Sequence, residues 1–139
     1  MNKFRDSDAE EETGHDIFNP GVSDDQRQRA EEMLGGLSFG MFVEQRSLDN
    51  EYRAGVLIGL DGSDPVEVAV SPMIDETLRE HVVLCDRPLH AQQKAQIITR
   101  RAGRETRLMG SLSASRPGRR EEDRKADPPI HVARFYDNA

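Results

Sequence analysis

Residues 53–71 read RAGVLIGLDGSDPVEVAVS, two short apolar runs around an acidic tip, DGSDP. Asp, Gly, Ser and Pro are the residue types that form turns, so the segment predicts a β-hairpin. The tip also carries two carboxylates and a hydroxyl, but the twelve-residue frame of an EF-hand is absent, and a turn is favoured over a cation site. A five-residue loop at 61–65 would place six apolar side chains on one face, and burial favours that register. These six are Val56, Ile58, Leu60, Val66, Val68 and Val70.

The opposite face of this hairpin is unusually apolar for a surface that faces solvent, and we predict that it binds a partner. It consists of Leu57, Gly59, Glu67 and Ala69. A second apolar segment, IHVARFY, follows a polar stretch near the C-terminus and resembles a docking strand. Its predicted partner-binding residues are Ile130, Val132, Phe135 and Tyr136.

The elements around the hairpin predict an α+β fold. Ser23 can cap a helix at 24–34, and Pro72 and Pro88 favour the starts of helices at 73–80 and 88–101. Residues 39–43 and 82–85 are typical of strands, and the β-prone residues from 97 leave open whether 97–107 is helix or strand. We therefore expect a small antiparallel β-sheet of three to four strands, covered by two or three short helices, with flexible arms at both ends.

The chain has 139 residues, 35% apolar and 32% charged, which is enough for one domain. Large apolar side chains are concentrated at 37–110. The expected organisation is an acidic disordered arm at 1–22, a single α+β domain at 23–110, a polar linker at 111–129 and a docking strand or tail at 130–139.

Charge is distributed unevenly along the chain. Residues 1–85 hold 7 basic and 19 acidic side chains, a net of −12, whereas residues 86–139 hold 12 and 7, a net of +5. Halves of opposite sign favour self-association or a protein partner. The alternative is that the basic segment 94–125 binds RNA or DNA through phosphate contacts. The arginines assigned to that alternative are Arg100, Arg101, Arg104 and Arg107.

No motif in the sequence predicts catalysis, a metal or a cofactor. His81, Cys85 and His90 are spaced as H-x3-C-x4-H, but a structural zinc site usually takes four ligands in paired short spacings. Asp86 beside the thiol also disfavours a reactive thiolate. Neither GxGxxG nor GxxxxGK[ST] occurs. A single cysteine and the lack of a long apolar run predict a cytoplasmic protein, or one inside a virion or complex, without membrane contact.

Two fragments are similar to the carbon storage regulator family of small RNA-binding proteins. VLIGLDGSDPVEVAV, residues 56–70, resembles that family's fourth and fifth strands, and IITRRAGRET, residues 97–106, resembles its opening strand. The resemblance implies arginines close to an RNA surface. The two fragments occur here in reversed order, and Ser71-Pro72 replaces the basic residue that follows the VAV strand in the family.

These observations together predict a non-catalytic partner-binding or assembly protein. Such a protein would be an accessory or structural component of a larger complex, of the kind encoded by phages and mobile elements. The alternative prediction is an RNA- or DNA-binding regulatory protein.

Overall fold

A computed structural model of the protein describes residues 21–36, 46 and 51–138. The strand predicted at 39–43 and nearly all of the acidic arm predicted at 1–22 lie outside these residues. In chain order the described elements are α1 (Asp24–Gly35), β1 (Arg53–Gly59), β2 (Val66–Val70), β3 (Glu80–Cys85), β4 (Lys94–Arg101), β5 (Arg104–Leu112), β6 (Arg116–Pro117), α2 (Glu121–Lys125) and β7 (His131–Asp137).

Six of the strands close into an antiparallel barrel. The order around it is β1-β2-β3-β7-β5-β4, and β4 pairs again with β1, while the two-residue β6 pairs with the start of β7. The predicted α+β fold, a three- to four-stranded sheet covered by helices, is therefore wrong. The strand predicted as a docking tail at 130–139 closes the barrel, because β7 pairs with both β3 and β5.

Two of the three predicted helices are absent from the described chain. In 73–80, the Asp75 carboxylate accepts hydrogen bonds from the backbone nitrogens of Thr77 and Leu78, at 2.9 and 3.1 Å, and this turn leads into β3. In 88–101, the chain forms β4 from Lys94 onward. Consecutive apolar residues such as Ile97 and Ile98 are both buried there, because both faces of the strand are covered.

The helix predicted at 24–34 is present as α1. Ser23 accepts a hydrogen bond from the backbone nitrogen of Gln26, whose side chain accepts one from the Ser23 backbone nitrogen, so the two residues form a capping box. Asp24 and Asp25 lie in the first turn, where carboxylates complement the helix dipole. Neither helix in the described ranges is long and apolar enough to cross a membrane.

The hairpin exists, but its register differs from the predicted one. Leu57 lies opposite Val66, and Gly55 lies opposite Val68. The predicted five-residue loop pairs Leu60 with Val66 and Ile58 with Val68, so the observed partners on β1 are shifted by three positions. The side chain of Leu57 consequently faces the barrel interior. Val56 and Ile58 face the other way, towards α1. The prediction assumed one buried face, whereas both faces of β1 are buried.

The described chain holds three apolar clusters, one inside the barrel and two outside it. The inner cluster packs around Phe135 and Leu57, as expected for a small barrel filled by its own side chains. The second forms where α1 covers β1 and β4. The third lies on the outer faces of β2, β3 and β7, around Leu84 and Ile130.

Residues 113–130, here called the β5–β7 connection, contain β6 and α2 and lie over the third cluster. Hydrogen bonds attach the connection along its length. Ser113 donates to the Arg134 carbonyl at 2.9 Å, and Ser115 donates to the Leu89 carbonyl at 3.0 Å. Gly118 and Ile130 are bonded to each other within the connection. The region predicted as a polar linker thus contains short elements bonded to the barrel, which creates a cleft between the connection and the barrel wall.

Candidate anion-binding cleft

The largest concentration of arginines in the described structure lines this cleft, which has a volume of about 620 Å³. Its wall is formed by the outer faces of β3 and β7, where Glu80 lies opposite Tyr136 and Leu84 lies opposite Val132. Its charged lining consists of Arg46, Arg116, Arg119, Arg120, Arg134, Glu80 and Asp123. Five basic groups against two acidic ones give the lining a net charge of +3.

One side of the cleft is held by a buried ion pair between Arg46 and Asp123. Only 9% and 3% of these two side chains are exposed, and a guanidinium nitrogen contacts the carboxylate directly. Gly118 packs so closely on Asp123 that a Cβ at this glycine would lie 2.5 Å from the aspartate Cβ. This pair joins the segment before β1 to α2 and fixes the position of the β5–β7 connection.

Two further arginines of the lining are partly neutralised by neighbours. Arg134 lies 3.3 Å from the Glu80 carboxylate, and Arg120 lies 2.9 Å from Glu122, which projects into solvent. The Arg120–Glu122 pair is exposed, and pairs of that kind contribute little free energy, whereas the Glu80 side chain is only 13% exposed. Both arginines therefore line the cleft beside a carboxylate.

Arg116 and Arg119 differ from the other arginines of the cleft because both are exposed and neither forms an ion pair with a described residue. Arg116 belongs to β6 and is held opposite Val132 by strand pairing. Arg119 is positioned through its backbone, because its carbonyl accepts a hydrogen bond from the Arg124 guanidinium. The backbones of these two residues are thus held at the cleft, and their positive charges have no ion-pair partner within the described part of the chain.

Two tyrosines and an apolar wall complete the cleft. Burial raises the pKa of the Tyr52 phenol, although Arg46 and Arg134 act in the opposite direction, so the group remains a neutral hydrogen-bond donor at physiological pH. Tyr136 is 37% exposed, and Leu84 and Ala133 are buried beneath the opening. The site can therefore accept an anion whose neighbouring groups are apolar.

The residues predicted to bind partners fall into two groups. Leu57, Ala69 and Phe135 are at most 1% exposed, Gly59 and Ile130 are also buried, and Glu67 is half-buried. Most of this set contributes to the chain's own core, and Ala69 and Ile130 belong to the cluster beneath the connection. Only Val132 and Tyr136 reach the cleft.

The arginines predicted for nucleic-acid binding lie on the β4–β5 hairpin, away from the cleft. Arg100 and Arg107 both contact the Glu105 carboxylate, at 3.2 and 2.5 Å. Arg101 and Arg104 are paired in register at the end of the hairpin. Ala102 and Gly103 form its two-residue turn, with φ values of 53° and 77° at these two positions.

The histidine and cysteine spacing does not converge on a site. No group of three His, Cys, Asp or Glu side chains within the described residues is arranged to hold a metal. Cys85 is buried, and burial raises the pKa of its thiol to about 11. A thiolate is thus disfavoured at neutral pH.

Three of the five cleft arginines lie in segment 94–125, which the sequence offered as the alternative nucleic-acid-binding region, but none was named there as a site residue and no cleft was predicted. Arg116, Arg119 and Arg120 were visible as a basic cluster, but their composition indicated a linker. Arg46 and Arg134 lie far from them in sequence, and the pairing of β6 with β7 and the ion pair of Arg46 with Asp123 bring these groups together.

Comparisons with protein-family models, with curated proteins and with solved structures find no match to this chain. The resemblance of two fragments to the carbon storage regulator family therefore gains no support from them.

Proposed function

We propose that this protein is a non-catalytic binding protein that holds an acidic segment of a protein partner in the arginine-lined cleft. The observation that carries this proposal is the state of Arg116 and Arg119, two exposed cations without an ion-pair partner among the described residues. Guanidinium groups bind carboxylates through two parallel hydrogen bonds, which gives both affinity and orientation.

The wall of the cleft favours a polypeptide over an isolated anion. Leu84 and Val132 supply apolar contacts, and Tyr136 is an aromatic side chain of the kind enriched at protein interfaces. A peptide with two or more carboxylates could place these on the arginines while its apolar side chains cover the wall.

Nucleic acid is the alternative partner, and charge argues against it. The chain carries a net charge of −7, which repels every anion at long range, and repels a long polyanion more strongly than a short acidic segment. The Glu105 carboxylate forms ion pairs with two of the four arginines of the hairpin, Arg100 and Arg107, and competes with phosphates for them. A compact cleft with acidic members also differs from the continuous basic groove typical of non-specific nucleic-acid binding.

The test is the affinity for a short fluorescent oligoglutamate peptide, measured by anisotropy at several salt concentrations, with oligoglutamine of equal length as the neutral control. Replacing Arg116 and Arg119 by alanine together should weaken binding about tenfold or more, which corresponds to about 1.4 kcal/mol. The matched control is the double variant Arg29→Ala, Arg87→Ala, which removes two exposed arginines outside the cleft and should change affinity less than twofold.

Two outcomes would overturn this function. Unchanged oligoglutamate affinity in the Arg116→Ala, Arg119→Ala variant would show that the cleft does not bind the acidic segment. Tighter binding of single-stranded DNA than of oligoglutamate, lost when Arg100, Arg104 and Arg107 are replaced by alanine, would support the nucleic-acid alternative instead.

A further inference from the structure

A second cavity, separate from the arginine-lined cleft, lies at the end of the barrel where the β4–β5 hairpin projects. It has a volume of about 380 Å³ and is lined by Arg53, Thr99, Ala102, Arg104, Glu105 and Thr106. We propose that this barrel mouth is a binding site for a phosphate group, held by the Arg53 guanidinium and the hydroxyls of Thr99 and Thr106.

Arg53 supplies a buried hydrogen-bond donor to this cavity. It lies opposite Val70 in the register of β1 and β2, so its side chain faces the inside of the barrel with that buried valine. The Nε atom of Arg53 is buried and has no hydrogen-bond partner among the described residues. Buried donors are almost always paired, because an unsatisfied one costs about 1–3 kcal/mol and more when it is charged. An oxyanion in the cavity would satisfy this donor.

Two threonines supply further donors at the same place. Thr99 and Thr106 lie directly opposite each other in the pairing of β4 with β5, and Thr99 is 5% exposed. Hydroxyl groups donate to the oxygens of phosphate, and both line the cavity with Arg53. Rigid strands hold all three residues, so the donor set is fixed before a ligand arrives.

The charge of the cavity favours an anion despite the presence of Glu105. Burial raises the pKa of this carboxyl group, but hydrogen bonds from Arg107 and Arg100 outweigh it, and the pKa is lowered overall. The carboxylate is thus ionised and already compensated by two arginines. Arg53 and Arg104 form no ion pair with any described residue, which leaves their positive charge for a ligand.

Phosphate suits this donor set better than a carboxylate does. A phosphate group presents acceptors in several directions, which matches an arginine on one strand and hydroxyls on two others, whereas a carboxylate presents two oxygens in one plane. The same chemistry is offered by inorganic phosphate and by a phosphomonoester. A titration with inorganic phosphate and another with glycerol phosphate distinguish these two sources.

The experiment is a titration of ¹⁵N-labelled protein followed by NMR, observing the Arg53 Nε–Hε signal and the backbone amides of Thr99 and Thr106. Inorganic phosphate should shift these signals to saturation, with a dissociation constant of about 1–10 mM. Tighter binding of glycerol phosphate would identify a phosphomonoester as the natural ligand. Sodium chloride at equal ionic strength should leave the signals in place.

Three variants connect the shifts to the cavity. Thr106→Val removes one donor at an exposed position and should weaken phosphate binding about fivefold or more. Arg53→Lys keeps the charge but removes the Nε donor, and the saturable amide shifts should disappear. The Arg116→Ala, Arg119→Ala variant should bind phosphate at the barrel mouth like the unmodified protein. Loss of oligoglutamate binding in this variant therefore tests the proposed function alone, and loss of phosphate binding in the other two variants tests this site alone. The proposal is overturned if chloride causes equal shifts, or if Arg53→Lys and Thr106→Val respond like the unmodified protein.

Discussion

The side-chain amide of Gln26 donates a hydrogen bond of 2.7 Å to the backbone carbonyl of Ser63. The other end of the same amide accepts from the Ser23 backbone nitrogen at 3.1 Å, which completes the capping box of α1. One buried side chain therefore stabilises the start of the helix and attaches it to the β1–β2 turn. The acidic tip DGSDP also has an internal hydrogen bond, because the Asp61 carboxylate accepts from the Ser63 backbone nitrogen at 3.0 Å.

Replacing Gln26 by alanine should lower the free energy of unfolding by about 1–2 kcal/mol, because the helix loses a cap and the Ser63 carbonyl loses its donor. Gln28→Ala, on the exposed side of the same helix, is the control and should change stability by less than about 0.5 kcal/mol. Urea unfolding followed by circular dichroism measures both. Equal losses in the two variants would show that the Gln26–Ser63 contact adds no stability.

Gly110 permits the close approach of β5 to β7. A Cβ at this position would lie 2.0 Å from the Tyr136 carbonyl oxygen, which belongs to the backbone and cannot rotate away. Gly110→Ala should therefore lower the free energy of unfolding by about 1–3 kcal/mol or more, as overpacking does. Gly35→Ala is the matched control, because a Cβ there meets no atom within 4 Å. A melting temperature for Gly110→Ala equal to that of Gly35→Ala would contradict the observed strand spacing.

The sequence predicted the features that depend on local interactions. The helix at 24–34 depends on Ser23 and Gln26, three residues apart, and the existence of a turn between β1 and β2 depends on the residue types of DGSDP, whereas its predicted five-residue length was wrong. The hairpin register was not predictable in the same way. Val56, Leu57 and Ile58 are all apolar, and alternation cannot identify the inward face of a strand that is covered on both sides.

The barrel and its cleft depend on contacts between distant segments. The segment IHVARFY alternates as a strand should, but nothing in its local sequence specifies that it pairs with β3 rather than with a partner molecule. The cleft combines Arg46, Arg116 and Arg134, which the pairing of β6 with β7 and the ion pair of Arg46 with Asp123 bring together. The sequence left open whether residues 97–107 form a helix or a strand, because helical and doubly buried strand patterns overlap in short segments such as that of Ile97 and Ile98.

The buried ion pair between Arg46 and Asp123 should be far more important for stability than the exposed pair between Arg29 and Asp64. Asp123→Asn leaves the Arg46 guanidinium buried with reduced compensation, and we expect a loss of about 3–5 kcal/mol. Asp64→Asn removes one member of the exposed pair and should cost less than about 1 kcal/mol. Chemical denaturation of both variants gives the comparison. Similar small losses would mean that Asp123 does not hold the β5–β7 connection.

The buried thiol of Cys85 should make stability depend on alkaline pH. Its pKa is about 11 in the folded protein, against 9.0 for an unperturbed thiol, so the folded state favours the protonated form. A raised pKa of this kind contributes stability that is fully present below about pH 9 and is lost as pH rises towards 11. Two pKa units correspond to about 3 kcal/mol at most.

Cys85→Ala separates this contribution from the titration of lysines and tyrosines, because those groups are the same in both proteins. The difference in unfolding free energy between the unmodified protein and Cys85→Ala should be constant from pH 7 to 8.5 and should fall steadily between about pH 9 and 11. The thiol should also react slowly with iodoacetamide at pH 8 unless the protein is unfolded. A difference that stays constant up to pH 11, together with rapid alkylation of the folded protein, would show that Cys85 is accessible and not buried in the barrel.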